Sequence, residues 1–277
     1  MKIITGLDEL REARGELKGS VGLVPTMGFL HEGHLSLMRR AKAECEHVIV
    51  TIFVNPTQFA PTEDLSKYPR DLERDLRLIE STGAELVWTP TPDVMYPPDF
   101  QTWVEVDMLT KVLEGKMRPT HFKGVTTVVA KLFNATQPHK AYFGQKDAQQ
   151  AAVIRQMTRD LNFPIEAIVC PTVREADGLA MSSRNQYLSA EERSAATILF
   201  RALSAAKQIY DTGGRDAEVI RKRMREMLDA EPRAQIQYVS CADYDTLEEL
   251  EFIKRKTLLS MAVMLGKTRL IDNFILE

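Results

Sequence analysis

Cysteine is scarce: only 3 of the 277 residues, Cys45, Cys170 and Cys241, far apart and without CxxC spacing. An odd, scattered set excludes a disulfide framework and a zinc knuckle and fits a reducing, cytoplasmic setting. Long hydrophobic runs are missing as well. The longest apolar stretches, 48–54 and 258–265, are too short to cross a bilayer, and the N-terminus carries both acid and base by residue 8, which argues against a secretory signal. No excess of one charge sign exists either. Lys and Arg number 36 against 39 Asp and Glu, a net charge of −3, so no electrostatic footprint for nucleic acid or an anionic membrane is expected. Repeats and low-complexity tracts are absent. A basic cluster at 221–225 (RKRMR) reads as one solvated helix face. With 44% hydrophobic and 27% charged residues, the chain has the composition of a globular protein whose ligand is a small molecule. Single cores stop growing at about 250–300 residues, which favours two domains.

Val- and Ile-rich runs alternate with helix-period segments through the first two thirds of the chain, the pattern of a parallel sheet covered by helices. Strands are predicted at 21–24, 48–54, 86–88, 140–143 and 165–169, and helices at 34–45, 71–82, 124–136 and 147–161. Gly83 and Pro164 sit where two of these helices should stop. Beyond Val173 a polar loop, 174–185, leads into two helical segments and three strand-like runs, 236–241, 257–265 and 269–274, which read as a smaller α+β domain. The loop is the candidate boundary.

The segment 24–35, VPTMGFLHEGHL, runs from a buried strand through a Gly-containing turn into a helix whose first turn carries two imidazoles. Backbone N–H groups and the helix dipole make such a terminus an anion site, phosphate being the usual occupant. His31 and His34, three apart, share a face, and Gly33 leaves room for a ligand near the backbone. Two imidazoles there can donate to oxygens that gain charge during phosphoryl or nucleotidyl transfer. The competing reading is a pair of capping or surface histidines. HEGH is not the HExxH of metalloproteases, so a zinc site is not expected.

The HxGH signature resembles that of the nucleotidyltransferase superfamily, and the flanking words resemble the pantothenate synthetase family: PTMGFLHEGH (25–34), TIFVNPTQF (51–59), KYPR (67–70), YFGQKDAQQ (142–150) and VREADGLAMSSRN (173–185). The resemblance runs in order from about residue 3 to residue 276. It implies ATP-dependent condensation of (R)-pantoate with β-alanine through an enzyme-bound pantoyl adenylate, with release of AMP and pyrophosphate. It further implies an ATP site comprising Met27, Gly28, Phe29, Leu30, His31, Glu32, Gly33 and His34, then Gly144, Gln145, Lys146 and Asp147, then Val173, and then Met181, Ser182, Ser183 and Arg184. His34 matches the proton donor. His31, Lys146, Ser182, Ser183 and Arg184 complete the catalytic set. Gln58 matches a contact to both pantoate and β-alanine, and Gln150 a pantoate contact. A homodimer is implied, as is Mg2+ accompanying ATP.

The same residues can be read from their chemistry. Lys146 follows a Gly at a strand end, where an ammonium can reach phosphate oxygens. Ser182, Ser183 and Arg184 put two hydroxyls and a guanidinium in a Gly-flanked loop, suited to closing over a triphosphate. Asp147 reads equally well as a helix cap. Asn55 and Gln58 lie past a strand, where amides can bind a carboxylate or hydroxyl, although Asn-Pro is also turn chemistry. The family resemblance implies that Pro25, Met27, Val129 and Phe143 help to wall the branched pantoate, while periodicity alone makes Val125, Val128 and Val129 helix core. Mg2+ would bridge phosphates with few protein ligands, Asp75 being a water-mediated candidate. The resulting expectation is an α/β protein: a Rossmann-like parallel sheet in 1–175 and an α+β lid domain in 176–277. The alternatives are a different HxGH adenylyltransferase, a tRNA synthetase fragment, or a nucleotide sensor that has lost catalysis.

Overall fold

A computed structural model describes residues 1–60 and 65–277. They form two compact units, one made of Met1–Gly144 with Gln150–Pro171, the other of Gln145–Gln149 with Thr172–Glu277.

The first unit contains β1 (Lys2–Ile4), α1 (Leu7–Glu16), β2 (Val21–Thr26), α2 (Glu32–Glu44), β3 (His47–Ile52), α3 (Leu72–Glu80) and β4 (Leu86–Trp88). It continues through α4 (Pro92–Met95), α5 (Leu113–Met117), α6 (His121–Thr136) and β5 (Lys140–Gly144) to α7 (Ala148–Asp160) and β6 (Glu166–Cys170). Among the described residues its six strands pair in the order β1-β4-β3-β2-β5-β6, every pairing parallel. The α/β expectation holds. β1 was not foreseen. The predicted helix starts also move: α2 opens at residue 32 rather than 34, and α6 at 121 rather than 124.

The chain steps outward from β2 through β3 to β4, then returns to place β5 on the other side of β2. That makes the carboxyl ends of β2 and β5 the topological switch point, where open α/β sheets hold ligands. β2 and β5 pair only through Gly22 and Leu23, whereas β2 and β3 pair from Val21 to Thr26. Pro25 has no N–H to give a ladder, so it suits a stretch of β2 paired on one side alone. The two strands therefore part just before the loop that carries the histidines. On α2, Leu35, Leu37, Met38 and Ala41 are buried while Arg39 and Arg40 face water. This stripe packs with Val24, Val48, Val50 and Tyr142, and truncating Met38 to Ala would cost about 2–5 kcal/mol.

In the second unit α8 (Ala190–Ala195), α9 (Ile198–Asp211) and α10 (Ala217–Asp229) precede β7 (Ala234–Asp243), β8 (Thr257–Leu265) and β9 (Thr268–Leu276). The strands form an antiparallel sheet in the order β7-β8-β9. Leu199, Leu203, Ile220 and Met224 of the helices pack in one core with Leu259, Met261 and Val263 of β8, which gives this unit its α+β layering.

Candidate active site

The loop between β2 and α2 is bent by two successive left-handed residues, Gly28 at φ +83° and Phe29 at φ +51°. Glycine takes that conformation freely, whereas a side chain there costs roughly 1–2 kcal/mol. The compensation comes from Asp75 on α3. The Phe29 N–H donates to Asp75 Oδ2 and the Leu30 N–H to Oδ1, each at 2.7 Å, and the side chain of Asp75 is almost wholly buried. Hydrogen bonds to a charged acceptor contribute about 1.5–3 kcal/mol each, enough to outweigh the backbone strain. Arg74 adds a bond from Nη2 to the Leu30 carbonyl at 2.9 Å, and its guanidinium lies 5.3 Å from the Phe29 ring centroid. Burial pushes the Asp75 carboxyl above the usual carboxylate range, against the pull of the two N–H donors and of Arg74.

His31 is the N-cap of α2. Its Nδ1 accepts from the Gly33 N–H at 3.2 Å, and the Nδ1 of His34 accepts in return from the His31 N–H at 3.3 Å. The ring centroids stand 4.1 Å apart. A neutral imidazole that accepts at Nδ1 must carry its hydrogen on Nε2, so the reciprocal cap assigns both rings one tautomer and makes each Nε2–H a donor. The capping reading and the donor reading are compatible, one using Nδ1 and the other Nε2.

The backbone plays a different part from the one expected. The Gly28 N–H donates to Thr26 Oγ1 at 3.3 Å, and those of Phe29, Leu30, His31 and Gly33 are donated to Asp75 and the two imidazoles. These five amides are internal struts, and the two imidazole edges stand beside them at the start of α2. Asp75, a candidate for outer contact with Mg2+, has both carboxylate oxygens engaged by the loop. Glu32, also predicted in the ATP site, is exposed and pairs with Arg39.

Past β3, a 3-10 turn at Pro56–Gln58 carries the amides. Asn55, 1% exposed, donates to the Gly124 carbonyl and to Gln58 Oε1, both at 3.1 Å, and its Oδ1 accepts from Tyr96 OH at 2.9 Å and Thr57 Oγ1 at 3.0 Å. Burial raises the Tyr96 phenol, which keeps it a neutral donor. Gln58 Nε2 donates to Met27 Sδ at 3.1 Å, tying this glutamine to the histidine loop. His121 Nδ1 lies 2.9 Å from the Gln58 carbonyl, which also accepts from Arg118 Nη2 at 3.3 Å. Gly124 is needed for this close approach, since a Cβ there would meet the Thr57 carbonyl oxygen at 2.4 Å. Val125, Val128, Val129 and Phe143 are buried, Pro25 and Met27 half-buried, and Gln150 half-buried near the start of α7.

Apart from Gly144, the other predicted residues belong to the second unit. β5 ends at Gly144, and Gln145–Asp147 form a 3-10 turn clamped by Asn273 of β9. Asn273 Nδ2 donates to the carbonyls of Gln145 and Lys146, each at 2.9 Å, and its Oδ1 accepts from Gln145 Nε2 at 3.2 Å. Lys146 Nζ stands 3.6 Å from Asp147 Oδ1. Next to Asn273, buried Asp272 receives both arms of Arg174 at 2.7 and 2.9 Å. Arg174 and Ala180 bridge the two sides of the following loop, where the Met181 N–H donates to the Val173 carbonyl at 3.0 Å. Ser182 caps the 3-10 turn Ser183–Tyr187, its Oγ accepting from the Arg184 N–H at 3.3 Å. Two neighbouring residues of β9 thus brace the Lys146 turn and the base of the Ser182 loop. Among the described residues no group of three or more His, Cys, Asp or Glu side chains could hold a metal ion, and no helix is long and apolar enough to cross a membrane.

The family model described as pantoate-beta-alanine ligase matches residues 2–275. The chain belongs to the pantoate–β-alanine ligase family. A pantothenate synthetase from Roseiflexus sp. (strain RS-1) is 60% identical, the match covering 100% of both chains. The crystal structure of pantothenate synthetase from Thermus thermophilus superposes with a TM-score of 0.96 at 45% identity, covering 99% of each chain. A pantoate-beta-alanine ligase from Francisella tularensis, complexed with beta-gamma ATP and beta-alanine, gives 0.82 at 34% identity, covering 99% of this chain and 97% of that one. As a ligase of this family the protein joins pantoate to β-alanine. Sequence reading missed the residues that brace Gln58, namely Tyr96, Arg118 and His121, and those that brace the Lys146 turn and the following loop, namely Asn273 and the Arg174–Asp272 pair. Arg118 and His121 stand beside or at the start of α6 and Tyr96 at the end of α4, with no motif to mark them.

Proposed function

We propose that the ligase activates (R)-pantoate with ATP as a pantoyl adenylate and then transfers the pantoyl group to β-alanine. In the first half, a pantoate carboxylate oxygen attacks the α-phosphorus, the P–O bond to the β-phosphate breaks, and pyrophosphate leaves. In the second, the β-alanine amine attacks the acyl carbon, the mixed anhydride opens and AMP departs. The observation that carries this reading is the reciprocal cap of His31 and His34, which fixes two Nε2–H donors on the opening turn of α2 at the switch point of the sheet. Donors fixed in advance stabilise charge developing on the α-phosphate without reorganising. Lys146, Ser182, Ser183 and Arg184 act on the β- and γ-phosphates, with 27–34, 144–147, Val173 and Met181 completing the ATP-binding set. Gln58 and Gln150 hold the pantoate hydroxyls and carboxylate, and Gln58 also meets β-alanine.

The donor set fits a metal held by phosphate oxygens and water, since Asp75 is engaged by the loop and no clustered ligands exist among the described residues. When bound, Mg2+ would supply charge neutralisation on the phosphates. Family membership supports a cytoplasmic homodimer.

Enzyme, Mg-ATP and pantoate without β-alanine should give a burst of pyrophosphate close to the active-site concentration, and β-alanine should then discharge pantothenate and AMP. ADP and orthophosphate as stoichiometric products would overturn the adenylate route.

A further inference from the structure

We propose that Asp75 is a positioning residue for the reaction: its carboxylate holds the left-handed Gly28–Phe29 turn, so that His31 and His34 open α2 in their reciprocally capped arrangement. The inference rests on the reading that these imidazoles act on the α-phosphate.

The two N–H groups that Asp75 accepts belong to Phe29 and Leu30, the residues leading directly into His31. Phe29 stands in a conformation that a side chain avoids, so the turn requires an outside partner. Asp75 is 1% exposed and offers one oxygen to each N–H, a division that no neutral side chain of its size reproduces. The space is matched on the other side too, since a Cβ at Gly28 would lie 3.1 Å from Asp75 Oδ2. Arg74 closes the ring, its Nη1 3.6 Å from Asp75 Oδ1 and its Nη2 on the Leu30 carbonyl. A shift at Leu30 would move the backbone of His31, whose N–H is the donor that orients His34.

The test is Asp75→Asn, which keeps the volume but has a single acceptor oxygen and turns an NH2 toward an N–H donor. Single-turnover release of pyrophosphate from ATP and pantoate should slow roughly 10- to 100-fold, the scale of a displacement near 1 Å. Aminolysis of chemically prepared pantoyl adenylate by β-alanine should proceed at the wild-type rate. Long-range nitrogen–proton NMR of the imidazoles should show the Nε2–H tautomer of both histidines in the wild type and its loss in the variant. Arg74→Ala, at a half-exposed position, should slow the first half-reaction less and in the same sense. A wild-type burst rate with unchanged imidazole signals would overturn the proposal. So would equal slowing of both half-reactions, or a loss that vanishes once the temperature is low enough for the variant to be fully folded. If instead the wild type released no pyrophosphate from ATP and pantoate, the histidine reading would fall, while the imidazole spectra would still report whether Asp75 holds the loop.

Discussion

Replacing His34 by Asn, Gln and Ala separates two tasks that one imidazole performs. Its Nδ1 accepts from the His31 N–H at 3.3 Å, and its Nε2–H is the donor assigned to the α-phosphate. Asn places Oδ1 at the same reach as Nδ1 and nothing at the reach of Nε2, so it keeps the cap and removes the donor. Gln, a usual N3 residue of a capping box, reaches back to the His31 N–H with Oε1 and leaves its NH2 without the fixed aim of the imidazole Nε2–H. Ala loses both. A lost cap costs about 1 kcal/mol, which lowers Tm by about 2–4 °C for a domain of roughly 150–250 residues. A lost transition-state donor costs roughly 10²–10³ in turnover. His34→Asn should therefore melt with the wild type yet turn over about 10²–10³ more slowly, and His34→Ala should show both losses. His34→Gln should keep the cap's share of Tm and retain at most part of the rate. Calorimetry and pyrophosphate release read the two axes independently. Wild-type turnover in His34→Asn would refute the reasoning and leave His34 a cap.

Gln58→Ala or Gln150→Ala should raise KM for pantoate by about 5- to 100-fold, corresponding to roughly 1–3 kcal/mol for an orphaned polar group, and affect ATP binding less; titration calorimetry showing ATP weakened and pantoate untouched would refute the placement. ATP should protect the backbone amides of 181–184 from hydrogen exchange while β3 stays protected throughout, and equal exchange with and without nucleotide would remove the ordering idea.

The sheet was legible because buried parallel strands read as Val- and Ile-rich runs, as β2, β3 and β6 do, while β5 is a short apolar run built on Tyr142 and Phe143. Two helix starts were not. α2 is capped by His31 rather than by Ser, Thr, Asp or Asn, so its start carries no usual signal, and α6 follows Thr120, a usual N-cap residue that here makes no side-chain cap bond. HxGH, GQKD and MSSR are contiguous words and could be read directly as motifs. Their supports could not. Asn273 reaches Gln145 across 128 positions, Arg174 reaches Asp272 across 98, and Asp75 reaches Phe29 across 46. No local periodicity encodes such pairings; they exist only once strands and helices are in register.

That asymmetry bears on how the loop handles phosphate. Read as a helix N-terminus, it suggested amides cradling an anion, yet the N–H groups of Gly28, Phe29, Leu30, His31 and Gly33 are already donated to Thr26, to Asp75 of α3 and to the two imidazoles. Amides held this way make the backbone stiff, and a stiff backbone fixes the cap, which fixes the tautomer, which aims the Nε2–H. The chain of cause runs from a buried carboxylate on α3 to a proton on an imidazole edge. Such donors stand ready before charge develops on the α-phosphate, so none of the barrier-lowering interaction is lost to reorienting them.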